Sequence, residues 1–530
     1  MATDAQAAAA DQVSKYRWLI LLGLITAAIM EVLDTTIVNV SLPQMAGNLG
    51  ATFQEVAWVS TGYILANVVV LPMTAFLAAT FGRRNYLTAS ILIFIVASFL
   101  CGTSHTLGEL VLWRVLQGAG GAALLSTAQA TLRQIFPREQ QGIVQAVFLM
   151  GVIVAPTLGP TLGGWITDNY TWNWCFFINV PIGILSVFLV SSFLQDTPGM
   201  RQRPTSVDFF GIALLAVGLA SLQYVLEEGQ QNDWFNDPLI VRLSILSAIT
   251  LSIMLWWELS PRNPAPVVDF RVLKNRDLSC SIFLFVALGF GLYGGTYLFP
   301  LFAQNLLGFT PTTTGLMLLP GGLGTATSAL LCGRMLNGPK PLVDPRALIF
   351  IGVGLFMTSM WRMGHLTTMA GEPDVRLALF MRGFGLGFLF APINNVAYGN
   401  IDPRIAQQAS GLINLARQLG GSFGIAILGT FLTNKTQFHH AMLVNYTYRG
   451  NPALEQKLQA FQSNFMAHGM SATVAQKAAF AALERLVSQQ ASMLAYNDSW
   501  IFILTAFACT SPAILLLRKP RGAAAAVDAH

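Results

Sequence analysis

The sequence predicts an all-α integral membrane protein: two six-helix bundles with a two-helix hairpin inserted between them, fourteen transmembrane helices in all. Three observations lead there. Of 530 residues, 54% are hydrophobic and only 10% charged, against about a quarter charged in soluble globular chains. That composition disfavours a water-soluble enzyme, a disordered chain and a nucleic-acid binder together. Apolar runs long enough to cross a hydrocarbon core about 30 Å thick as helices of about 20 residues recur along the chain. Lysine and arginine, finally, gather in alternate loops.

The first run, 17–41, carries Glu31 and Asp34 and is followed by further apolar segments, so it reads as a span and not as a cleaved leader. Spans at 56–78, 86–104, 108–131, 142–167 and 172–194 complete the first bundle. Two more, 208–228 and 238–259, make the inserted hairpin, and 277–303, 313–332, 346–365, 374–400, 409–432 and 498–517 make the second bundle. The domains are accordingly 15–200, 201–262 and 263–517, between a disordered N-terminus, 1–14, and a tail, 518–530. Between the last two spans, about 433–497 is polar and helical in pattern, with Asn451-Pro452 as a helix start and Leu454, Leu458, Phe461 and Phe465 as an apolar stripe. It reads as a helical hairpin on the outer face, its stripe serving internal packing or a docking partner.

The formal charge is +5. With the N-terminus in the cytoplasm, nineteen Lys and Arg fall on the inner side, from Lys15 and Arg17 to Lys519 and Arg521, and the short outer loops hold essentially none. Both termini are therefore expected in the cytoplasm. The halves echo each other: Arg114 opens RVLQGAGG in the fourth span and Arg382 opens RGFGLG in the twelfth, 268 residues later. Parallel repeats of this sort are one build of secondary transporters.

A charge at mid-membrane costs about 2.5–3.5 kcal/mol on insertion scales, so one that persists faces a cavity or a partner. Glu31, Asp34, Arg114, Arg382 and Arg417 stand inside the spans. Glu31 and Asp34, three apart, share a helix face, and two neighbouring acids in low dielectric repel, which suits one of them to bind and release a proton. A structural ion pair, for instance with Arg114, is the alternative. Arg114 shares a face with Gln117, Gly118 and Gly121. Arginine cannot discharge itself by losing its proton, so Arg114 must be paired or wet. It can couple the acid to a neighbouring helix, or simply hold helices together, as can Arg382 and Arg417.

The fifth span reads GVIVAPTLGPTLGGWI from Gly151. Gly151, Ala155, Gly159 and Gly163 form a small-residue stripe that permits close helix approach, and Pro156 and Pro160 each remove a backbone donor, so a bend is expected. Such a contact suits the rocking of one bundle against the other. There is no GxxxxGK[ST] for ATP, no HExxH and no Ser/His/Asp pattern. The five cysteines stand singly, and His439-His440 reads as a polar loop edge, so no enzyme activity, metal or cofactor is expected.

These motifs resemble those of the major facilitator superfamily, and within it the fourteen-helix drug:proton antiporters of the EmrB/QacA type. LDTTIVNVSLP, from Leu33, is similar to the first-helix motif whose Asp is associated with proton coupling; RVLQGAGG resembles the fourth-helix motif whose Arg is implicated in proton transfer. GxxxAPxxGPxxGG, Gly151 to Gly164, is similar to the antiporter motif throughout, and RGFGLGFLFAPINNVAY and SGLINLARQLGGSFGIAILGT look like second-half signatures of the EmrB branch. One departure concerns the loop before Gly82, Arg83 and Arg84, where Ala75 and Ala79 replace the usual Gly and Asp. Those cations are expected to anchor the inner side only.

The resemblance implies a multidrug efflux transporter of the bacterial inner membrane that exchanges amphipathic toxic compounds for protons. It would work with a periplasmic membrane-fusion protein and an outer-membrane channel; lipid surrounds it and nucleic acid has no part. Asp34, Glu31 and Arg114 are the expected coupling residues. From position alone, Gln117, Tyr293, Tyr297, Asn395 and Arg417 are the expected substrate contacts. A proton symporter importing a nutrient, a lipid or siderophore exporter or flippase, and a membrane-embedded enzyme acting on lipid are the rival readings.

Overall fold

The computed structural model describes residues 2–137, 140–196, 207–263, 266–336, 342–399, 401, 405–448 and 450–517. The apolar runs become helices because, in lipid, a backbone N–H or C=O without a partner costs several kcal/mol and only the helix satisfies both within one run. The first bundle holds α1 (Ala2–Leu49), α2 (Glu55–Phe81), α3 (Arg83–Gly102), α4 (Leu107–Ile135), α5 (Gln141–Asn169) and α6 (Trp174–Phe193). The inserted hairpin is α7 (Phe209–Glu228) and α8 (Pro238–Leu259). The second bundle holds α9 (Arg276–Leu306), α10 (Pro311–Leu336), α11 (Pro345–Met363), α12 (Glu372–Gly399), α13 (Ala406–Val444) and, after a short outer helix α14 (Pro452–Ala467), α15 (Ala472–Thr510).

Twelve of these segments are long and apolar enough by themselves to cross a membrane. The other two spans are α4 and α5, of 29 residues each. The polar side chains of α4 that lower its hydropathy, among them Arg114, Gln117, Thr127 and Gln129, are buried inside the protein instead of facing lipid. The repeat legible in the sequence is a repeat of packing: α1 on α5, α2 on α4 and α3 on α4 recur as α9 on α13, α10 on α12 and α11 on α12.

α1 begins at Ala2, so residues 2–14 are helix in continuity with the first span. The tail 518–530 lies outside the described residues. The outer segment is continuous with the spans on both sides. α13 and α15, 39 residues each, are about 58 Å long at 1.5 Å per residue, far more than the bilayer core, so both run on past the membrane. Their extensions are joined by His439 Nε2 to Asp498 at 2.9 Å, Lys435 Nζ to Asp498 at 3.3 Å and His440 Nε2 to Glu484 at 2.7 Å. Leu454, Leu458, Phe461 and Phe465 are among the half-buried positions of α14, which packs on α15, where Ala475 and Ala479 are buried.

The small-residue stripe of α5 also faces elsewhere than expected. A Cβ on Gly159 would collide with the Thr36 hydroxyl, one on Gly163 would lie 2.7 Å from the Ile37 carbonyl oxygen, and one on Gly151 would press on Ile25 and Ile29. All four partners belong to α1, so the stripe locks α5 to α1 within the first bundle. Gly164 lies at the stripe's margin, its nearest neighbour Val40 at 3.9 Å from a Cβ. The helix runs unbroken through Pro156 and Pro160. Contact with the second bundle is made by other positions of α5, such as Thr161, against which Gly315 of α10 is pressed.

The second seam runs between α2 and α4 on one side and α13 on the other, and α7 packs against both α2 and α13. Where α4 ends and α13 begins, four hydrogen bonds among the described residues join the bundles. Ser410 Oγ donates to the Ser126 carbonyl at 2.8 Å, Gln407 Nε2 to Thr127 Oγ1 at 3.1 Å, Asn414 Nδ2 to Gln129 Oε1 at 3.0 Å and Arg133 Nη2 to the Asn394 carbonyl at 3.2 Å. Near that end Gly82 adopts φ +85°, with the Asp196 carboxylate where a Cβ would be. Asp196 also accepts the Arg84 backbone N–H at 2.9 Å, and Arg84 Nη2 donates to the Ser191 carbonyl at 2.5 Å. Asp196 also acts electrostatically on Arg83. The motif thus joins α2, α3 and the end of α6.

Gly159→Leu should cost about 1–3 kcal/mol through overpacking, read as a lowered thermal unfolding midpoint in detergent. Gly354→Leu, where a Cβ meets nothing within 4 Å, should leave the midpoint near wild type.

Candidate functional site

The bundles and α7 enclose a cavity of about 1530 Å³, its open mouth included. Much of its wall is apolar, with Ile64, Leu125, Val152, Leu318, Leu386 and Phe390 among the lining residues. Polar groups come from opposite sides: Glu31, Asn67 and Gln129 from the first bundle, Glu227 from α7, and Tyr293, Arg382, Asn414 and Arg417 from the second. An apolar chamber with a few convergent polar groups is the usual form of a small-molecule site.

Glu31 is held at the wall from two helices. Its Oε2 accepts the backbone N–H of Leu125 on α4 at 2.9 Å, and Oε1 accepts Asn67 Nδ2 of α2 at 3.4 Å. The Arg417 charge acts on it from the second bundle. Arg417 itself donates to Tyr293 Oη at 2.8 Å and to Asn414 Oδ1 at 3.3 Å.

Asp34 lies elsewhere. It is fully buried within the first bundle and does not line the cavity. One oxygen takes Arg114 Nη1; the other accepts Gln117 Nε2 at 3.0 Å and Asn179 Nδ2 at 2.8 Å. Gln117 and Asn179 also each donate to Ser98 Oγ at 3.1 Å. Arg114 completes its coordination with the Val59 carbonyl at 2.9 Å, Gln117 Oε1 at 2.7 Å and the Tyr63 ring, 4.3 Å from the guanidinium carbon to the centroid. Tyr63 also lines the cavity, so its ring stands between the ion pair and the chamber. Three residues along a helix is a turn of about 60° short of a full circle. That offset directs Glu31 to the chamber and Asp34 to the knot.

Of the expected substrate contacts, Tyr293 and Arg417 line the cavity and three do not. Gln117 is spent on the Asp34–Arg114 knot. Tyr297, one turn beyond Tyr293, packs on the core of the second bundle. Asn395 lies five residues past Phe390, toward the end of α12 that carries the Arg133–Asn394 contact. Arg382 lines the chamber and donates to the Leu292 carbonyl at 3.0 Å and Thr296 Oγ1 at 3.1 Å; among the described residues it forms no ion pair. The sequence reading missed Tyr63, Asn67 and Asn179, single polar residues in apolar runs, and Glu227, which reads there as a helix end. Among the described residues no cluster of three or more His, Cys, Asp or Glu could hold a metal ion.

The comparisons with known proteins agree with this geometry. Residues 24–425 match the family model described as Major Facilitator Superfamily. The chain is 34% identical over 490 residues to "Multidrug export protein EmrB" of Haemophilus influenzae, covering 92% of each. It is 32% identical over 483 residues to the protein of that name in Escherichia coli K12, 90% of each, and 32% identical over 501 residues to "Fatty acid resistance protein FarB" of Neisseria gonorrhoeae, 94% of this chain and 96% of that one. Among solved structures, the crystal structure of the human organic anion transporter MFSD10 (TETRAN) shares the fold, with TM-score 0.56, 13% identity, and 94% and 99% of the chains covered. The chain belongs to the major facilitator superfamily and is a multi-pass membrane transporter. Within that superfamily it falls in the EmrB-like group.

Arg114→Gln and Asp34→Asn should each destabilise the protein by about 3–5 kcal/mol, the usual result of leaving one partner of a buried pair alone. The double variant should lose less than their sum, measured as a double-mutant cycle on unfolding in detergent. Additive losses would mean that the two side chains do not act as a pair.

Proposed function

We propose that this protein is a proton-coupled exporter of amphipathic small compounds, working in the bacterial inner membrane with both termini in the cytoplasm. The observation that carries the reading is Glu31: a carboxylate on the wall of an apolar chamber, tied to α4 and α2 and facing Arg417 of the other bundle. The names of the EmrB and FarB relatives, multidrug export and fatty acid resistance, support substrates of this amphipathic class.

In this scheme the apolar walls take up the body of the substrate and Glu31 exchanges protons with the chamber. A proton on Glu31 removes the charge that Arg417 attracts across the seam and weakens the acceptor of the Leu125 N–H. The bundles are then less strongly held together and access can alternate, a population shift driven by the difference in proton affinity between the two states. Asp34 and Arg114, joined to the chamber wall through Tyr63, keep α1, α4 and α6 in register and transmit the change. With the termini inside, the four bonds between the ends of α4 and α12 and the start of α13 close the cytoplasmic end.

Glu31→Gln should abolish substrate export driven by a pH gradient in proteoliposomes while keeping a measurable substrate Kd by fluorescence or calorimetry. Gradient-driven export at the wild-type rate in Glu31→Gln would remove Glu31 from the coupling.

The outer extensions of α13 and α15 are the proposed seat for a periplasmic membrane-fusion protein, which would lead on to an outer-membrane channel. Exposed Phe438, Met442, Tyr446, Val474 and Phe480 support this, since they protrude beyond the spans. Deleting about 450–490 should abolish cross-linking to a co-expressed fusion protein while purified protein still binds substrate; unchanged cross-linking would refute the docking role.

A further inference from the structure

The inserted hairpin does more than occupy lipid beside the bundles. α7 covers the seam between α2 and α13, with the Tyr224 ring 5.7 Å from that of Trp58 on α2. Its attachment to α13 is polar and repeated. Gln223 Nε2 donates to Ser422 Oγ at 2.9 Å, Trp234 Nε1 to Thr430 Oγ1 at 2.8 Å and Gln230 Nε2 to Thr433 Oγ1 at 3.1 Å. The turn that delivers Trp234 to this ladder holds Asp233 and Trp234 at φ +54° and +52°, a left-handed conformation that costs a non-glycine residue about 1 kcal/mol or more and persists only when its surroundings hold it.

Through the seam, α7 puts Glu227 on the cavity wall. The carboxylate accepts Gln223 Nε2 at 2.8 Å, one turn back, and Gln223 is fully buried, its Oε1 without a hydrogen-bond partner among the described residues. Glu227 therefore has a fixed side chain behind it and the chamber in front. The cavity's other acid differs: Glu31 has a backbone N–H, an amide and the Arg417 charge acting on it. Among the described residues Glu227 has no ion pair, and a carboxylate in an apolar wall calls for a cation.

We propose that Glu227 is a substrate-binding residue, supplied by the hairpin, that takes the cationic group of an amphipathic substrate: a lipophilic amine, quaternary ammonium or phosphonium ion whose apolar body lies against the chamber wall. The assignment rests on the export reading above and names one of its substrate classes. Cation recognition then lies at the seam between the bundles, where a bound charge touches α7 and, through Gln223 and Ser422, α13.

The test uses two ions of nearly equal size and shape and opposite charge, tetraphenylphosphonium and tetraphenylborate. Their Kd values are measured by equilibrium binding to the full-length protein in detergent or nanodiscs. Glu227→Gln should shift the ratio of affinities away from the cation by at least about tenfold, the size of one lost charge-assisted contact, and Glu227→Asp should recover part of the cation preference. Size-exclusion profiles and unfolding midpoints establish that both variants are folded. A wild-type ratio in folded Glu227→Gln overturns the assignment and leaves the export reading standing. Wild-type protein that binds neither ion, and moves no amphipath in a pH gradient, defeats the export reading and takes the Glu227 assignment with it.

Discussion

A guanidinium that cannot shed its charge, buried where water does not reach, organises the first bundle. Removing such a group from water costs several kcal/mol after relaxation, and only well-placed acceptors and an opposite charge offset that cost. Arg114 receives them from several directions: Asp34 on α1, the Val59 carbonyl and Tyr63 ring on α2, and Gln117 on its own helix. Asp34 in turn draws Asn179 from α6, and Ser98 from α3 closes the network. Five of the six helices in the bundle are thereby set against one another by a single buried ion pair and its hydrogen bonds. α5 is held differently, by glycines that let its backbone approach α1 directly.

The same repeat leaves the second bundle with a different electrostatic character. Arg382 stands where Arg114 stands in the repeat, but its acceptors are a carbonyl and a hydroxyl of α9, and it faces the chamber. Arg417 also faces the chamber, from α13. The central cavity consequently draws its cations from the second bundle and its carboxylates from elsewhere, Glu31 from the first bundle and Glu227 from the hairpin. A chamber so divided can report on its own occupancy, because neutralising either acid changes the attraction between elements that must move relative to one another.

Tyr63 shows how two sites three residues apart on α1 remain distinct. Its ring closes the knot on one side and forms part of the chamber wall on the other. Coupling between the chamber and the Asp34–Arg114 pair therefore passes through one aromatic side chain and the backbone of α1, a short physical route. The hairpin's attachment along α13 has a similar consequence at the seam, since any separation of α2 from α13 must carry α7 with one of them or break its polar ladder.

Much of this was legible from residues alone. Span positions and the presence of a few charges that demand partners follow from local transfer energies, which each segment contributes independently of its neighbours, and the repeat is legible in the matching motifs at Arg114 and Arg382. Glu31, Asp34, Arg114, Arg382 and Arg417 stand out as such charges, whereas Tyr293 is expected from position alone. What only the tertiary structure decided is which partner each polar group meets: that Asp34 is enclosed and Glu31 exposed to the chamber, that Gln117, Tyr297 and Asn395 turn away from it, that the glycine stripe serves α1, and that Glu227 enters the cavity. Those outcomes depend on how neighbouring helices surround each face, and a rotation of about 60° on α1 is enough to separate a sealed acid from an accessible one. Hydropathy along one chain carries no information about that angle; packing between chain segments far apart in sequence determines it.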